Sequence, residues 1–207
     1  MKLTTFMAVL VALNAVCCRG NLERYPVFVP HEFVKGDTLP FPLLFPAGID
    51  VSAQGDVWVT DRLFNTVHQL NAQGKSLKWY GNGETGCEET YFTKEAARFD
   101  APVDVCCANE GTFIADFSAN TIRKIRKDDI VSRFAGQCYG SNLINNTDGP
   151  CKNSDLVLLS AIAWLNKDLY LTDGNKLKVI RSTPDTSRCA IQTLFVYEND
   201  KSISFNA

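Results

Sequence analysis

The sequence predicts an all-β fold of four-stranded antiparallel sheets stacked face to face, the plan of a β-propeller. Three observations carry this. A segment pattern recurs over about 45–88, 99–136 and 156–198. Within each copy, apolar runs of four to eight residues, rich in Val, Ile, Phe, Trp and Tyr, alternate with polar turns, which is the strand-and-hairpin signature. Helical periodicity is weak throughout, and its best stretch is only Thr93 to Phe99. One blade cannot bury both of its faces, so the aromatic and β-branched residues are expected between blades.

The copies align strand by strand. A first run, as in Phe45 to Val51 or Phe99 to Val105, is followed by a turn: Gln54-Gly55-Asp56, Asn109-Glu110-Gly111 or Asn166-Lys167-Asp168. The second run ends VWVTD, TFIAD or LYLTD, closing on Asp61, Asp116 and Asp173, which are 55 and 57 residues apart. Asn65 and Asn120 lie four residues beyond their Asp; the third turn is two residues shorter, with Asn175 in that place. Third and fourth runs follow. Two long connections, Asn82 to Ala97 and Gln137 to Asp155, separate the copies. Trp58, Phe113 and Tyr170 share one repeat position and are expected in inter-blade core.

The 207 residues are 45% hydrophobic and 21% charged, with 21 Lys and Arg against 23 Asp and Glu. A chain that lives on phosphate backbones usually carries a basic surplus, so no nucleic-acid role is expected. Residues 1–20 read as a secretory signal peptide: Lys2 is the positive end, Phe6 to Val16 the apolar run, and Cys18 and Gly20 the small residues before a cut. The run is too short to span about 30 Å of hydrocarbon, and no later stretch approaches that length, so no membrane span is expected. Six cysteines remain after the leader: Cys87, Cys106, Cys107, Cys138, Cys151 and Cys189. In an exported chain they argue for disulfides. Cys138 and Cys151 bracket a polar loop that cannot pack a core of its own, and a bond between them is expected. The rival is Cys138 with Cys87, because both follow a fourth strand in adjacent blades. Inside the loop, Asn145-Asn146-Thr147 is a sequon, so Asn145 is a candidate glycosylation site.

With those residues in place, a family resemblance emerges. Pro46, Gly48 and Ile49, then Gly55 through Asp61, then Asn65 and Val67, closely resemble the NHL repeat; so do Pro102, Gly111 through Asp116, and Asn120 through Ile125. Phe134-Ala135-Gly136 and Asp148-Gly149-Pro150 resemble the connection between NHL blades. The third copy lacks the Pro and Gly before its first strand. VWVTD and LYLTD also resemble the YWTD repeat of lipoprotein-receptor propellers, but the recurring Gly and Asn match NHL better. The resemblance implies a scaffold whose members include ligand-binding, RNA-binding and adhesion modules and metal-dependent lyases, so fold alone does not give function.

Propellers typically close with about 4–8 blades, and three are legible here. Asn21 to Leu44 contains Val27-Phe28-Val29 and Phe33-Val34, a candidate closing strand, and 199–207 reads like the start of a further blade. Either the chain is part of a longer propeller, or two copies join as a homodimer to complete a six-bladed ring.

Candidate chemistry is sparse. Asp61, Asp116 and Asp173 recur at the end of the same strand, which marks them as structural acceptors for main-chain N–H groups of the following turn. Asp50 and Asp104 lie on first strands, which line a propeller's channel, but the third copy has Ala163 there. A calcium site needs several converging oxygens, and zinc needs more than the single repeat histidine, His68. Arg123 to Lys127 reads as a solvated outer strand. No catalytic residue, metal or cofactor is assigned. The expected function is a secreted module that binds a protein or small ligand without catalysis; the alternative is part of a metal-dependent six-bladed hydrolase or lyase.

Overall fold

Left-handed residues cut this chain into strands. Asn65 (φ 53°) and Asn120 (φ 55°) turn the second strand of a blade into the third, and Gly55 (φ 88°) and Gly74 (φ 80°) serve the other hairpins of the first blade. Asn tolerates this region better than other non-glycine residues. The computed structural model describes residues 43–87, 93–139, 146–181 and 189–196. The leader 1–20, the runs Val27–Val29 and Phe33–Val34, Asn145 and the tail 199–207 lie outside them.

Blade one is β1 (Pro46–Val51), β2 (Val57–Asp61), β3 (Thr66–Leu70) and β4 (Ser76–Tyr80), paired in that order. Blade two is β5 (Pro102–Ala108), β6 (Gly111–Asp116), β7 (Thr121–Ile125) and β8 (Val131–Ala135). Blade three is β10 (Leu159–Leu165), β11 (Asp168–Asp173), β12 (Lys176–Ile180) and β13 (Ala190–Val196). A two-residue strand, β9 (Gly149–Pro150), adds to the outer edge of β13. All pairing within these sheets is antiparallel. Each inner strand carries a register shift near its start, between Pro46 and Ile49, Pro102 and Asp104, and Leu159 and Ala161.

The core lies between blades. Trp58, Val67 and Tyr80 pack against Val105, Ile114, Ile125 and Val131 of blade two. The other face of blade two, with Cys106, Phe113, Ala115, Ile122 and Ala135, packs against Leu159, Ile162, Leu169, Leu171 and Ile180. Trp58 and Phe113 lie in inter-blade core as expected; Tyr170 holds the same register position but is only half-buried and packs in neither cluster. Gly81 and Gly136, which follow the fourth strands, have φ of +103° and +81°. A Cβ there would lie 2.5 Å from the Asn65 carbonyl and 2.3 Å from the Asn120 carbonyl, so both positions exclude larger residues.

The disulfide expectation requires correction. Cys138 bonds to Cys87, not Cys151, with Cα atoms 5.5 Å apart, and Cys151 bonds to Cys189 at 5.3 Å. The reason is β9. The loop packs no core of its own, but its far end is held by strand pairing: Gly149 and Pro150 pair with Ile191 and Ala190. That pairing continues into Cys151, whose N–H donates to the Cys189 carbonyl at 2.9 Å. Cys106 and Cys107 carry no disulfide.

Candidate functional site

Each blade's second strand ends in a fully buried carboxylate that fixes the segment leading into the inner strand. Asp61 Oδ2 accepts the N–H groups of Leu44 (2.7 Å) and Phe45 (3.1 Å), and its Oδ1 accepts those of Leu63 and Phe64, both at 2.9 Å. Asp116 Oδ1 accepts from Asp100 at 2.7 Å. Asp173 Oδ1 accepts from Val157 and Leu158, both at 2.8 Å. The bonds to the following turn expected from the sequence form at Asp61; Asp116 and Asp173 accept from residues that precede the inner strand. The turn asparagines join neighbouring blades. Asn65 Oδ1 accepts from Ala101 N at 2.9 Å, and Asn120, with its amide nitrogen facing main-chain carbonyls, donates to Val157 O at 3.0 Å.

Antiparallel register places all of these groups at one end of the blades: Pro46 pairs with Asp61 and Asp61 with Thr66, and the same holds in blades two and three. That end is apolar. Leu44 (57% exposed), Phe45 (55%) and Leu63 (61%) are held outward around Asp61, and Tyr139 and Leu158 are exposed beside the turns of blades two and three. Arg62 lies over the Phe117 ring, 5.3 Å from its centroid, and bridges blades one and two. The turns at the opposite end are polar: Gln54 to Asp56, Asn71 to Lys75, Asn109-Glu110, Asp128-Asp129 and Asn166-Lys167.

The inner-strand acids act between blades. Asp50 accepts N–H groups from Val51 and, across the interface, Cys107 (2.7 Å). Asp104 accepts from Val105 and, across the next interface, Ile162 (2.8 Å). All four oxygens are engaged by main chain. Burial raises the Asp104 carboxyl to about 6. Among the described residues, no three or more His, Cys, Asp or Glu side chains converge on one point.

Sequence reading missed a repeated basic residue. His68, Arg123 and Lys178 occupy one position on the third strand, each fully buried near its blade's Asp. Arg123 Nη1 is 3.7 Å from Asp116 Oδ2, and Lys178 Nζ is 3.3 Å from Asp173 Oδ2. The signal was a basic residue seven, seven and five residues after the Asp, the last step reflecting the shorter turn. The run Arg123 to Lys127 is therefore not a solvated strand: Arg123 is buried, and Lys124 lies over the Phe113 and Phe134 rings.

His68 makes a testable pH term. Its Nε2 is hydrogen-bonded to Thr66 Oγ1 at 2.9 Å, and burial lowers its pKa from 6.5 to about 4 against the opposing pull of Asp61. The folded pKa is depressed, so its stabilisation is present above pH 6.5 and is lost as pH falls toward 4. The loss should approach about 3 kcal/mol. Asp104 has the opposite sign, since its raised carboxyl costs stability as pH rises through 6. The two offset in the intact protein. The measurement is thus the difference in urea-unfolding free energy between the protein and His68→Gln, at neutral pH and near pH 4.5. A difference that does not change with pH would refute the assignment.

No protein-family model matches the chain, and no curated protein matches it. Solved structures do. A protein of unknown function from Bacteroides thetaiotaomicron superposes with a TM-score of 0.54 at 16% identity, over 72% of this chain and 34% of that one. A putative gluconolactonase gives 0.51 at 15%, over 75% and 51%. An auxiliary nutrient binding protein from Bacteroides ovatus gives 0.50 at 17%, over 70% and 36%. The chain thus spans about a third to a half of the length of these structures. At such identities the likeness shows the fold: β-propeller blades, each a four-stranded antiparallel sheet.

Proposed function

We propose that this chain is a secreted, NHL-type propeller module that binds a partner through the end face carrying Leu44, Phe45, Leu63, Tyr139 and Leu158. The observation that carries the reading is that five exposed apolar side chains lie at that end, against two, Leu77 and Leu165, beside the polar turns of the other. The buried Asp carboxylates hold Leu44, Phe45, Leu63 and Leu158 by their main chain, so the surface is rigid before a partner arrives, and rigidity reduces the entropy lost on binding. The leader sequence and two disulfides fit an oxidising compartment. A binding role is also named for one of the solved structures of similar fold, the nutrient binding protein.

The test is site-specific photo-crosslinking. A photoreactive residue replacing Leu63 should give adducts in the protein's native extracellular setting, whereas one replacing Gln73, at the polar end, should give none. Phe45→Glu with Leu158→Glu should abolish the Leu63 adducts while the near-ultraviolet dichroism stays unchanged. Equal adducts from both ends would reject the reading.

A further inference from the structure

We infer that Asn82 is a self-modifying site, converted to aspartate and isoaspartate by attack of the Gly83 main-chain nitrogen on its side chain. The sequence holds three steps from Asn or Asp to Gly at which such attack is least crowded: Asn82-Gly83, Asp148-Gly149 and Asp173-Gly174. The fold disables two of them. Asp173 is fully buried, and its Oδ1 accepts two main-chain N–H groups. Asp148 has one oxygen held by the Thr193 N–H and the other by the Thr193 hydroxyl, both at 2.6 Å, and Gly149 is fixed in β9 by its pairing with Ile191. Asn82 is exposed, in the connection that follows β4.

The local geometry presents the reacting groups to one another. Asn82 Oδ1 accepts the Glu84 N–H at 2.9 Å, so the side chain is curled forward across the Gly83 peptide. The same donor meets the oxygen that gains negative charge when Cγ is attacked. Asn82 Nδ2, the atom that must leave, donates to Glu84 Oε2 at 3.3 Å. Among the described residues no acceptor takes the Gly83 N–H, so the nucleophile is not committed to a hydrogen bond there. Gly83 has no Cβ to crowd the approach, and glycine holds its φ of 87° without strain. A nucleophile and its target held within one turn react as neighbours rather than after a search.

The step is redox-neutral. The Gly83 nitrogen loses its proton and bonds to Asn82 Cγ, the Cγ–Nδ2 bond breaks, and Nδ2 leaves as ammonia with that proton. Water then opens the cyclic imide. Opening at Cγ gives aspartate; opening at the main-chain carbonyl carbon gives isoaspartate, whose chain runs on through Cβ and Cγ. Both products put a carboxylate beside Glu84 where an amide donor stood. The change falls where the connection docks: the Gly81 N–H donates to the Lys94 carbonyl at 2.9 Å and the Asn82 N–H to the Ala97 carbonyl at 3.0 Å.

The test is incubation of the intact protein in heavy-oxygen water at neutral pH, followed by peptide sequencing in the mass spectrometer. Asn82 should become a carboxylate carrying one heavy oxygen, with isoaspartate among the products. Asn71 is the internal control: its Oδ1 also accepts main-chain N–H groups, but Ala72 follows it, so it should remain an amide. The same protein unfolded in guanidinium chloride is the reference, and Asn82 should convert at least as fast folded as unfolded. Gly83→Ala should slow conversion by about tenfold or more, because the added carbon crowds and displaces the nitrogen. Persistence of the Asn82 amide would overturn the inference. So would equal conversion at Asn71, a folded rate about tenfold below the unfolded one, or a Gly83→Ala protein that converts as fast as the parent.

Discussion

Asp173→Ala is expected to cost the fold about 4 kcal/mol, the range for removing one partner of a buried ion pair. Asp173 is fully buried and does two things at once. Its Oδ1 accepts the Val157 and Leu158 N–H groups, and its Oδ2 sits 3.3 Å from Lys178 Nζ, which is itself fully buried. Alanine leaves two main-chain donors and a buried ammonium without that carboxylate. Burial already lowers the Lys178 pKa, and Asp173 is the leading group that opposes the shift. Removing Asp173 therefore drives Lys178 toward its neutral form, which caps the cost. Asp173→Asn separates the two roles, because it keeps an oxygen for the main chain and removes the charge. Adding Lys178→Met to Asp173→Asn should recover part of the loss, since a buried pair replaced whole is tolerated better than a pair broken. Urea unfolding of the four proteins measures this. A cost below about 1 kcal/mol for Asp173→Ala would mean that the carboxylate does not hold the inner strand.

Particular residues explain how far the sequence carried. VWVTD, TFIAD and LYLTD were legible as strands because alternation and a terminal Asp are local signals, and each is a strand ending at that Asp. Asn65 and Asn120 were legible because a left-handed turn favours Asn. The strand-three basic position was hidden by its chemistry: His, Arg and Lys look like three residues, and only the shared register shows one buried position beside the Asp, charged in Arg123 and Lys178. β9 was hidden because Gly149-Pro150 has no strand propensity, and its pairing to β13 is entirely tertiary. The end face was hidden for another reason. Leu44, Phe45 and Leu158 sit in apolar runs that read as core, and they are turned outward only because a buried carboxylate takes their N–H groups or those of their neighbours.

The disulfides should be the other large contributors. Replacing Cys151 and Cys189 together by alanine is expected to cost about 4 kcal/mol, and the same for Cys87 with Cys138, in the chain-entropy account. The bonds close segments of 38 and 51 residues, and loop-closure entropy grows only slowly with length, so the two costs should be nearly equal. Alanine pairs avoid both an odd thiol and a hydroxyl at Cys151, which is buried in the cluster between blades two and three. The consequences should still differ by place. Cys151–Cys189 holds β9 against β13 within one blade, so its loss should expose the Ala190 to Val196 edge to amide exchange. Cys87–Cys138 ties the connection after β4 to the one after β8, so its loss should loosen blades one and two relative to each other and leave β13 protected. Hydrogen exchange on the two double variants distinguishes these outcomes, and non-reducing peptide mapping of the parent checks the pairing on which they depend. A recovered Cys138–Cys151 peptide would overturn both expectations at once.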